Sequence, residues 1–377
     1  MTWITEDPNI IDWENQKSHV LINPRLPKSE LQAIEDMVKK LPEVSGAIWI
    51  LSSGTESVDH LKCLCLKKEA FLISGKTVNQ HIDSSNVDTW LNPLPAFHVG
   101  GLAIWARAHL SGAKKVALTG KWGPRSYLKS AHDSGATLSS LVPTQLFDLV
   151  RVKQKAPESL RAVFIGGAQL EKGLFDQAVK LGYPVFETYG MTEACSQVAT
   201  AHEACAWDKK RVLCHLELKT DEKGVVYIKG DSLFKGTAYL DKRSGKLSFN
   251  EREGEWFRTN DLGQLEKHIL RVLGRAQDLV KIFGELVNLN RLRSFLLKFE
   301  PSHSSTLIAH PDPRQGDKIV MVFETSLPVG TRKEVFDSFN QSVAPFEKAS
   351  EIYLIDKLPK SALGKILVKE LEERFKA

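Results

Sequence analysis

The stretch Pro184-Val185-Phe186-Glu187-Thr188-Tyr189-Gly190-Met191-Thr192-Glu193 opens as a short β-type run and ends in a turn rich in functional groups. Residues 184–188 read as a buried strand. The five that follow supply an aromatic face for stacking, a glycine, a hydroxyl that suits phosphate and a carboxylate that suits a divalent cation. The C-terminal edge of a parallel sheet is where ligands bind in open α/β folds. A plain loop has the same composition, but this order of residues is uncommon by chance. Whether the strand belongs to a parallel sheet therefore decides the reading, and the neighbouring sequence answers that.

Upstream, apolar runs and amphipathic stretches alternate. Strands are expected at 46–51, 88–92, 114–118, 137–142 and 161–165, and helices at 69–81, 100–110, from Pro124, from Pro143 and at 170–181. Strand–helix alternation argues an α/β domain with a largely parallel sheet. Downstream of Leu213 the pattern changes to short strand-like runs at 216–219, 225–229 and 246–249, parted by charged turns, which reads as a β-rich subdomain. From Gly274 a further unit mixes strands (305–309, 319–324, 351–355) with helices (289–298, 332–343, 366–375). The expected fold is thus α/β: a large domain over 1–273, then a small α+β domain over 274–377, joined by a short hinge near Gly274–Asp278.

Composition fits an ordinary globular chain, with 42% hydrophobic and 26% charged residues among 377. The net charge of +5 is mild and spread out, which suits an anionic small molecule and gives no footprint for nucleic acid. The five cysteines, Cys63, Cys65, Cys195, Cys205 and Cys214, contain no CxxC and read as reduced cytoplasmic thiols. Met1–Ile10 lacks an apolar core, so no signal peptide is expected, and no run approaches the about 18 apolar residues of a membrane span.

Five more segments carry candidate chemistry. Ser52-Ser53-Gly54-Thr55-Glu56-Ser57 follows a strand and offers hydroxyls and backbone N–H groups to phosphate, or is a simple turn. Gly166-Gly167-Ala168 lets a flat base approach the backbone, or is a tight strand-to-helix turn. In Gly254–Gly263, Asp261 suits a ribose diol or sits in a turn. Gly274-Arg275-Ala276-Gln277-Asp278 is a cap or turn by itself, and Lys365 in Leu358–Lys365 reads by itself as a solvated lysine.

Taken together, in this order, the motifs resemble those of the adenylate-forming superfamily of acyl-CoA synthetases, adenylation domains and luciferases. The resemblance runs from about Gly46 to Phe375. It implies that Ser52, Ser53, Gly54 and Thr55 wrap the ATP phosphates, that Gly167 and Ala168 pack on adenine, and that Tyr189 stacks on it. Thr192 would touch the α-phosphate and Glu193 would bind Mg²⁺. Asp261 and Arg275 would hold the ribose. Lys365 would bridge phosphate and substrate carboxylate, making it catalytic with Thr192 and Glu193. Gln277 falls at the hinge about which a mobile small domain turns, and Lys281 and Gly284-Glu285 lie on the face it then presents. Three departures stand out. Ser57 replaces the loop's usual glycine, so that Lys62 substitutes for a missing lysine only if the loop is longer. Gln277 stands where Asp or Lys is usual. The phosphate loop starts far earlier than in most relatives, implying a shortened N-terminal part.

Leu94-Pro95-Ala96-Phe97-His98-Val99-Gly100-Gly101-Leu102 and Ser140–Leu146 look like segments of o-succinylbenzoate–CoA ligases of menaquinone biosynthesis. That resemblance puts His98 and Gly190 at the acyl pocket, with a core or capping histidine as the alternative for His98. The implied activity is an AMP-forming acid–CoA ligase using ATP, Mg²⁺ and coenzyme A on a small carboxylic acid, in the cytoplasm, as monomer or homodimer. A ligase for another aryl or acyl acid, or a nucleotide-binding relative without turnover, are the alternatives.

Overall fold

Period-two alternation within the short strands of residues 89–191 sorts their side chains onto two faces of a sheet. The computed structural model describes residues 2–4, 7–24, 26, 28–51, 60–361, 364 and 366–375. Two compact units emerge: residues 1–221, 227–259 and 264–271 form the first, and residues 222–226, 260–263 and 272–377 the second.

The first unit begins with β1 (Thr2–Ile4), β2 (His19–Leu21), α1 (Lys28–Lys40), β3 (Ala47–Leu51), β4 (His60–Lys67) and α2 (Lys68–His81). There follow β5 (Thr89–Asn92), α3 (Val99–Ser111), β6 (Lys114–Ala117), α4 (Pro124–Ser134), β7 (Leu138–Leu141), α5 (Pro143–Arg151), β8 (Ala162–Ile165), α6 (Lys172–Lys180) and β9 (Val185–Met191). Then come β10 (Ser196–Ala201), β11 (Lys210–Val212), β12 (Leu216–Thr220), β13 (Val225–Gly230), β14 (Gly236–Asp241), β15 (Leu247–Glu251), β16 (Phe257–Glu266) and β17 (Ile269–Arg275). β13, β16 and β17 each run from one unit into the other.

β6, β5, β7, β8 and β9 pair in that order, all parallel. Trp90, Leu138, Phe164 and Phe186 point to one face and pack with Val78 of α2 and Ile104 and Ala108 of α3. Leu91, Leu141, Val163, Ile165 and Val185 point to the other and pack with residues of α4, α5 and α6. Burying each large side chain contributes about 1.5–3 kcal/mol, so both faces need helical cover, as a parallel sheet does. At the N-terminal edge, Arg161 donates to both Asp88 oxygens at 2.9 and 2.7 Å. Burial raises the Asp88 pKa, but hydrogen bonds from Arg161, the Ser85 N–H and Thr137 outweigh it and hold the carboxyl at about 2. That edge is built for stability, which leaves the opposite edge for ligands.

A second sheet of the same unit runs β1-β2-β3-β4-β14-β15. β3 and β4 pair antiparallel, Leu51 opposite Cys63, so residues 52–59 connect two neighbouring strands. None of the helices among the described residues is long and apolar enough to cross a membrane. All five cysteines are free, and burial raises the thiol pKa values of Cys63 and Cys195 and pushes that of Cys65 up to about 12.

The second unit adds β18 (Leu279–Ile282), β19 (Glu285–Asn288), α7 (Leu289–Leu296), β20 (Ser305–Asp312), β21 (Gly316–Glu324), α8 (Val329–Gln341), β22 (Ala349–Ile355) and α9 (Val368–Arg374). Met321 and Phe323 face α7 and α8, while Val320 and Val322 face α9. The mixed α/β class expected from the sequence holds. Two local readings change. Asp261 lies inside a ten-residue strand rather than a turn, and β9 continues through Met191 because β10 pairs with it.

Candidate active site

β8 and β9 are parallel neighbours, with Ile165 opposite Glu187, so their C-terminal ends open side by side. Gly167 follows β8 in the left-handed region at φ +82°, which favours glycine, and Gly167 and Ala168 are exposed. Thr188 donates its hydroxyl to the Ile165 carbonyl at 3.1 Å, tying the two strand ends. Tyr189 is half-buried at the end of β9.

Gly190 is required by sterics. A Cβ there would stand 1.9 Å from the Ser196 carbonyl oxygen of β10. The chain reverses through a 3-10 turn, Thr192–Ala194, then Cys195 and Ser196 at φ 52° and 98°. The Glu193 carbonyl accepts the Phe234 N–H at 2.8 Å, which fixes the turn against the β13–β14 segment. Thr192 and Glu193 are half-buried. Mg²⁺ is usually held by one or two carboxylates plus substrate phosphates, without a protein cage. A single carboxylate on this turn fits that ion.

His98 caps the N-terminus of α3, its carbonyl accepting the Leu102 N–H at 2.9 Å. Its ring stands 4.9 Å from that of Phe97, and its buried Nε2 has no hydrogen-bond partner among the described residues. Both alternatives for His98 thus survive in part: it is a capping residue by backbone and carries an unspent ring nitrogen. Gln145, in the Ser140–Leu146 segment, accepts the Val142 N–H at 3.1 Å and caps α5, a structural use of that segment.

Burial pushes the pKa of His98 down to about 4, and it does the same to His19 and His215. An unfolded histidine takes its proton near about 6.5. Between pH 6.5 and 4 the unfolded chain therefore binds protons that the native one refuses, and stability falls with pH. Above 6.5 these groups contribute no slope. The urea midpoint should decline from pH 7 to pH 5. A flat midpoint across that interval would mean that these rings are solvated.

One residue went unnoticed in the sequence. Arg107 of α3 is 1% exposed, with its guanidinium 5.7 Å from the Trp90 ring and 5.8 Å from that of Phe164. Nη2 is 3.5 Å from the Ser196 hydroxyl, while Nε and Nη1 have no hydrogen-bond partner among the described residues. Burial alone lowers its pKa to about 9. A buried cation without a carboxylate is costly, and Ser196 is paired with Met191 of the Tyr189–Glu193 strand end. Its signal was a lone charge in the otherwise apolar Leu102–Ala108 run.

In the second unit, Asp261 and Arg275 come together, with Arg275 Nε 3.4 Å from Asp261 Oδ1. Gln277 lies on the 3-10 turn Ala276–Asp278 that follows. Ser52, Ser53, Gly54, Thr55 and Lys365 fall outside the described residues. Lys62 stands three residues into β4 with Nζ 6.0 Å from the Tyr239 ring centroid, so it belongs to the strand rather than to the loop before it.

Residues 9–237 match the family described as AMP-binding enzyme. The chain belongs to the AMP-binding enzyme family. It is 28% identical over 299 residues to a 2-succinylbenzoate–CoA ligase of Bacillus subtilis strain 168, covering 77% of this chain and 61% of that protein. It is also 28% identical over 300 residues to the enzyme of the same name from Bacillus velezensis, covering 76% and 60%. The chain thus matches about three-fifths of the length of these curated relatives. Among solved structures, it resembles o-succinylbenzoate CoA synthetase (MenE) from Bacillus subtilis in complex with the acyl-adenylate intermediate OSB-AMP. That likeness has a TM-score of 0.79 at 22% identity, over 94% of this chain and 83% of the other. The same enzyme with ATP and magnesium ion gives a TM-score of 0.73 at 22% identity, over 94% and 78%. At such identity the likeness is one of fold.

Proposed function

We propose that the protein is an ATP-dependent, AMP-forming acid–CoA ligase whose acid is 2-succinylbenzoate, as in menaquinone biosynthesis. The observation that carries this reading is the pair of adjacent strand ends, Gly167–Ala168 after β8 and Tyr189–Glu193 at the end of β9, in a chain of the AMP-binding family. The choice of acid is supported by the similar curated ligases and by the buried Arg107 guanidinium, whose Nε and Nη1 have no hydrogen-bond partner among the described residues and which suits a substrate with a second carboxylate.

The acid's carboxylate attacks the α-phosphorus of ATP and pyrophosphate leaves. The CoA thiol then attacks the acyl carbonyl and AMP leaves. Both partners of the first step are anions, so positioning and charge neutralisation carry the catalysis. Gly167 and Ala168 form the floor for adenine and Tyr189 stacks on it. Thr192 donates to the α-phosphate, and Asp261 and Arg275 hold the ribose. Glu193 would hold Mg²⁺, which when bound would supply positive charge against the phosphates. Residues 52–55 wrap the phosphates, Lys365 bridges phosphate and carboxylate, and His98 with Gly190 borders the acyl group. Residues 274–377 act as the mobile domain, turning about Gln277 between half-reactions.

The test is to follow pyrophosphate release from Mg-ATP with and without CoA. Release with 2-succinylbenzoate and not with other aryl or acyl acids is expected. Release only with another acid would remove the substrate assignment, and tight ATP binding without release would remove the enzymatic one. Glu193→Gln should raise the Mg²⁺ concentration for half-maximal rate at least about tenfold, since even outer-sphere partners of metal ligands cost about 10–100-fold. A Mg²⁺ titration that overlays the wild type would end the ligand role of Glu193.

A further inference from the structure

β22 lies at an edge of the sheet in the second unit. It pairs with β21 along one side, and no described strand pairs with its other side. Met321 and Phe323 of β21 stand opposite Ile352 and Leu354 of β22. The two β21 side chains are buried against α7 and α8. One strand further out that cover ends, and Ile352 and Leu354 are 41% and 49% exposed.

The backbone of β22 is open at the same place. The Thr325 N–H donates to the Ile355 carbonyl at 2.8 Å, so Ile355 turns its backbone groups towards the β21 side. Successive residues of a strand turn these groups to opposite sides, which directs those of Ile352 and Leu354 to the outer edge. Such an edge is a template for another strand, and natural edges are blunted with Lys, Pro or bulges. β22 contains neither Lys nor Pro, and its one register shift lies before Glu351.

The exposed residues alternate along the chain: Lys348, Ser350, Ile352, Leu354 and Asp356. The row reads cation, hydroxyl, two apolar groups, carboxylate. If two copies pair antiparallel about Ile352, each residue faces the one equally far beyond Ile352 in the other copy. Ile352 then meets Ile352, Ser350 meets Leu354, and Lys348 meets Asp356 at both ends. On the other face Glu351 meets Tyr353, and Glu351 already carries the Lys318 ammonium at 2.5 Å. No like charges oppose one another. A two-fold contact must be self-complementary, and this row is.

We propose that β22 is the contact edge of a symmetric homodimer, pairing antiparallel with β22 of a second copy about Ile352 and joining the two sheets into one. Main-chain hydrogen bonds supply the affinity. The apolar centre is buried, and the Lys348–Asp356 pairs fix the register.

The test is sedimentation velocity of the full chain over a concentration series, with a dimer as the expected species. Ile352→Lys sets like charges directly opposite at the two-fold axis and should give a monomer with an unchanged circular dichroism spectrum. Lys348→Asp and Asp356→Lys each turn both end pairs from attractive to repulsive, and should each weaken the dimer about tenfold. The double variant exchanges the two charges, makes both ends complementary again, and should recover the wild-type Kd. A chain that sediments as a monomer throughout would leave the edge to a different partner and overturn the proposal. A dimer that survives Ile352→Lys would move the contact to another surface and overturn it too. Additive weakening in the double variant would show that these charges do not face each other, and the pairing about Ile352 would be wrong.

Discussion

Lys365→Ala is expected to lower acyl-adenylate formation about 10³-fold and to leave thioester formation from supplied acyl-adenylate at the wild-type rate. The asymmetry follows from charge. In the first half-reaction a carboxylate approaches a triphosphate, and every ångström of approach raises the like-charge repulsion. An ammonium between the two oxygens removes part of that barrier only while the anions converge. Preorganised donors of this kind are each worth about 10²–10³ in rate, and an ion bridging both reactants belongs at the upper end. In the second half-reaction the thiol meets the uncharged acyl carbonyl, and only the single charge of the adenylate phosphate remains, so the same ammonium has less to neutralise. Rates of the two partial reactions, measured separately, check this. A variant that lost both equally would have lost its fold or its nucleotide, and the bridging role would be gone.

The parallel sheet was legible because its strands are short apolar runs bounded by Gly, Pro and Asp, with helices between them. Burial on both faces demands such runs. β4, with the sequence His60-Leu61-Lys62-Cys63-Leu64-Cys65-Leu66-Lys67, was missed because its lysines interrupt the apolar pattern, although Cys63–Leu66 are all buried. β16 was missed for the opposite reason. Thr259-Asn260-Asp261-Leu262-Gly263 is turn chemistry by propensity, and cross-strand pairing overrides it. Of the candidate site, the placing of Gly167–Ala168 and Tyr189–Glu193 at two adjacent strand ends was readable, because each follows directly on a short apolar run. Arg107 was hidden in another way. A lone arginine in a helix is assigned to solvent by default, and only its 1% exposure reverses that.

Arg107→Met should move activity and stability in opposite directions. The guanidinium is buried, and among the described residues Nε and Nη1 have no hydrogen-bond partner, while the faces of Trp90 and Phe164 and one long contact to Ser196 compensate in part. Replacing a buried ionic group by an apolar side chain of similar volume is often neutral or stabilising by about 1–4 kcal/mol, so the melting temperature should rise or hold. Substrate recognition should suffer. A hydrogen bond to a charged group contributes about 1.5–3 kcal/mol, which at about 1.4 kcal/mol per decade is about 10–100-fold. KM for 2-succinylbenzoate should rise by that factor, with kcat little changed, because the ring carboxylate is bound alike before and during the reaction. An aryl acid lacking the second carboxylate should show almost no difference between variant and wild type. A melting temperature several degrees lower with KM unchanged would make Arg107 a core residue and remove the argument from charge for a dicarboxylate substrate.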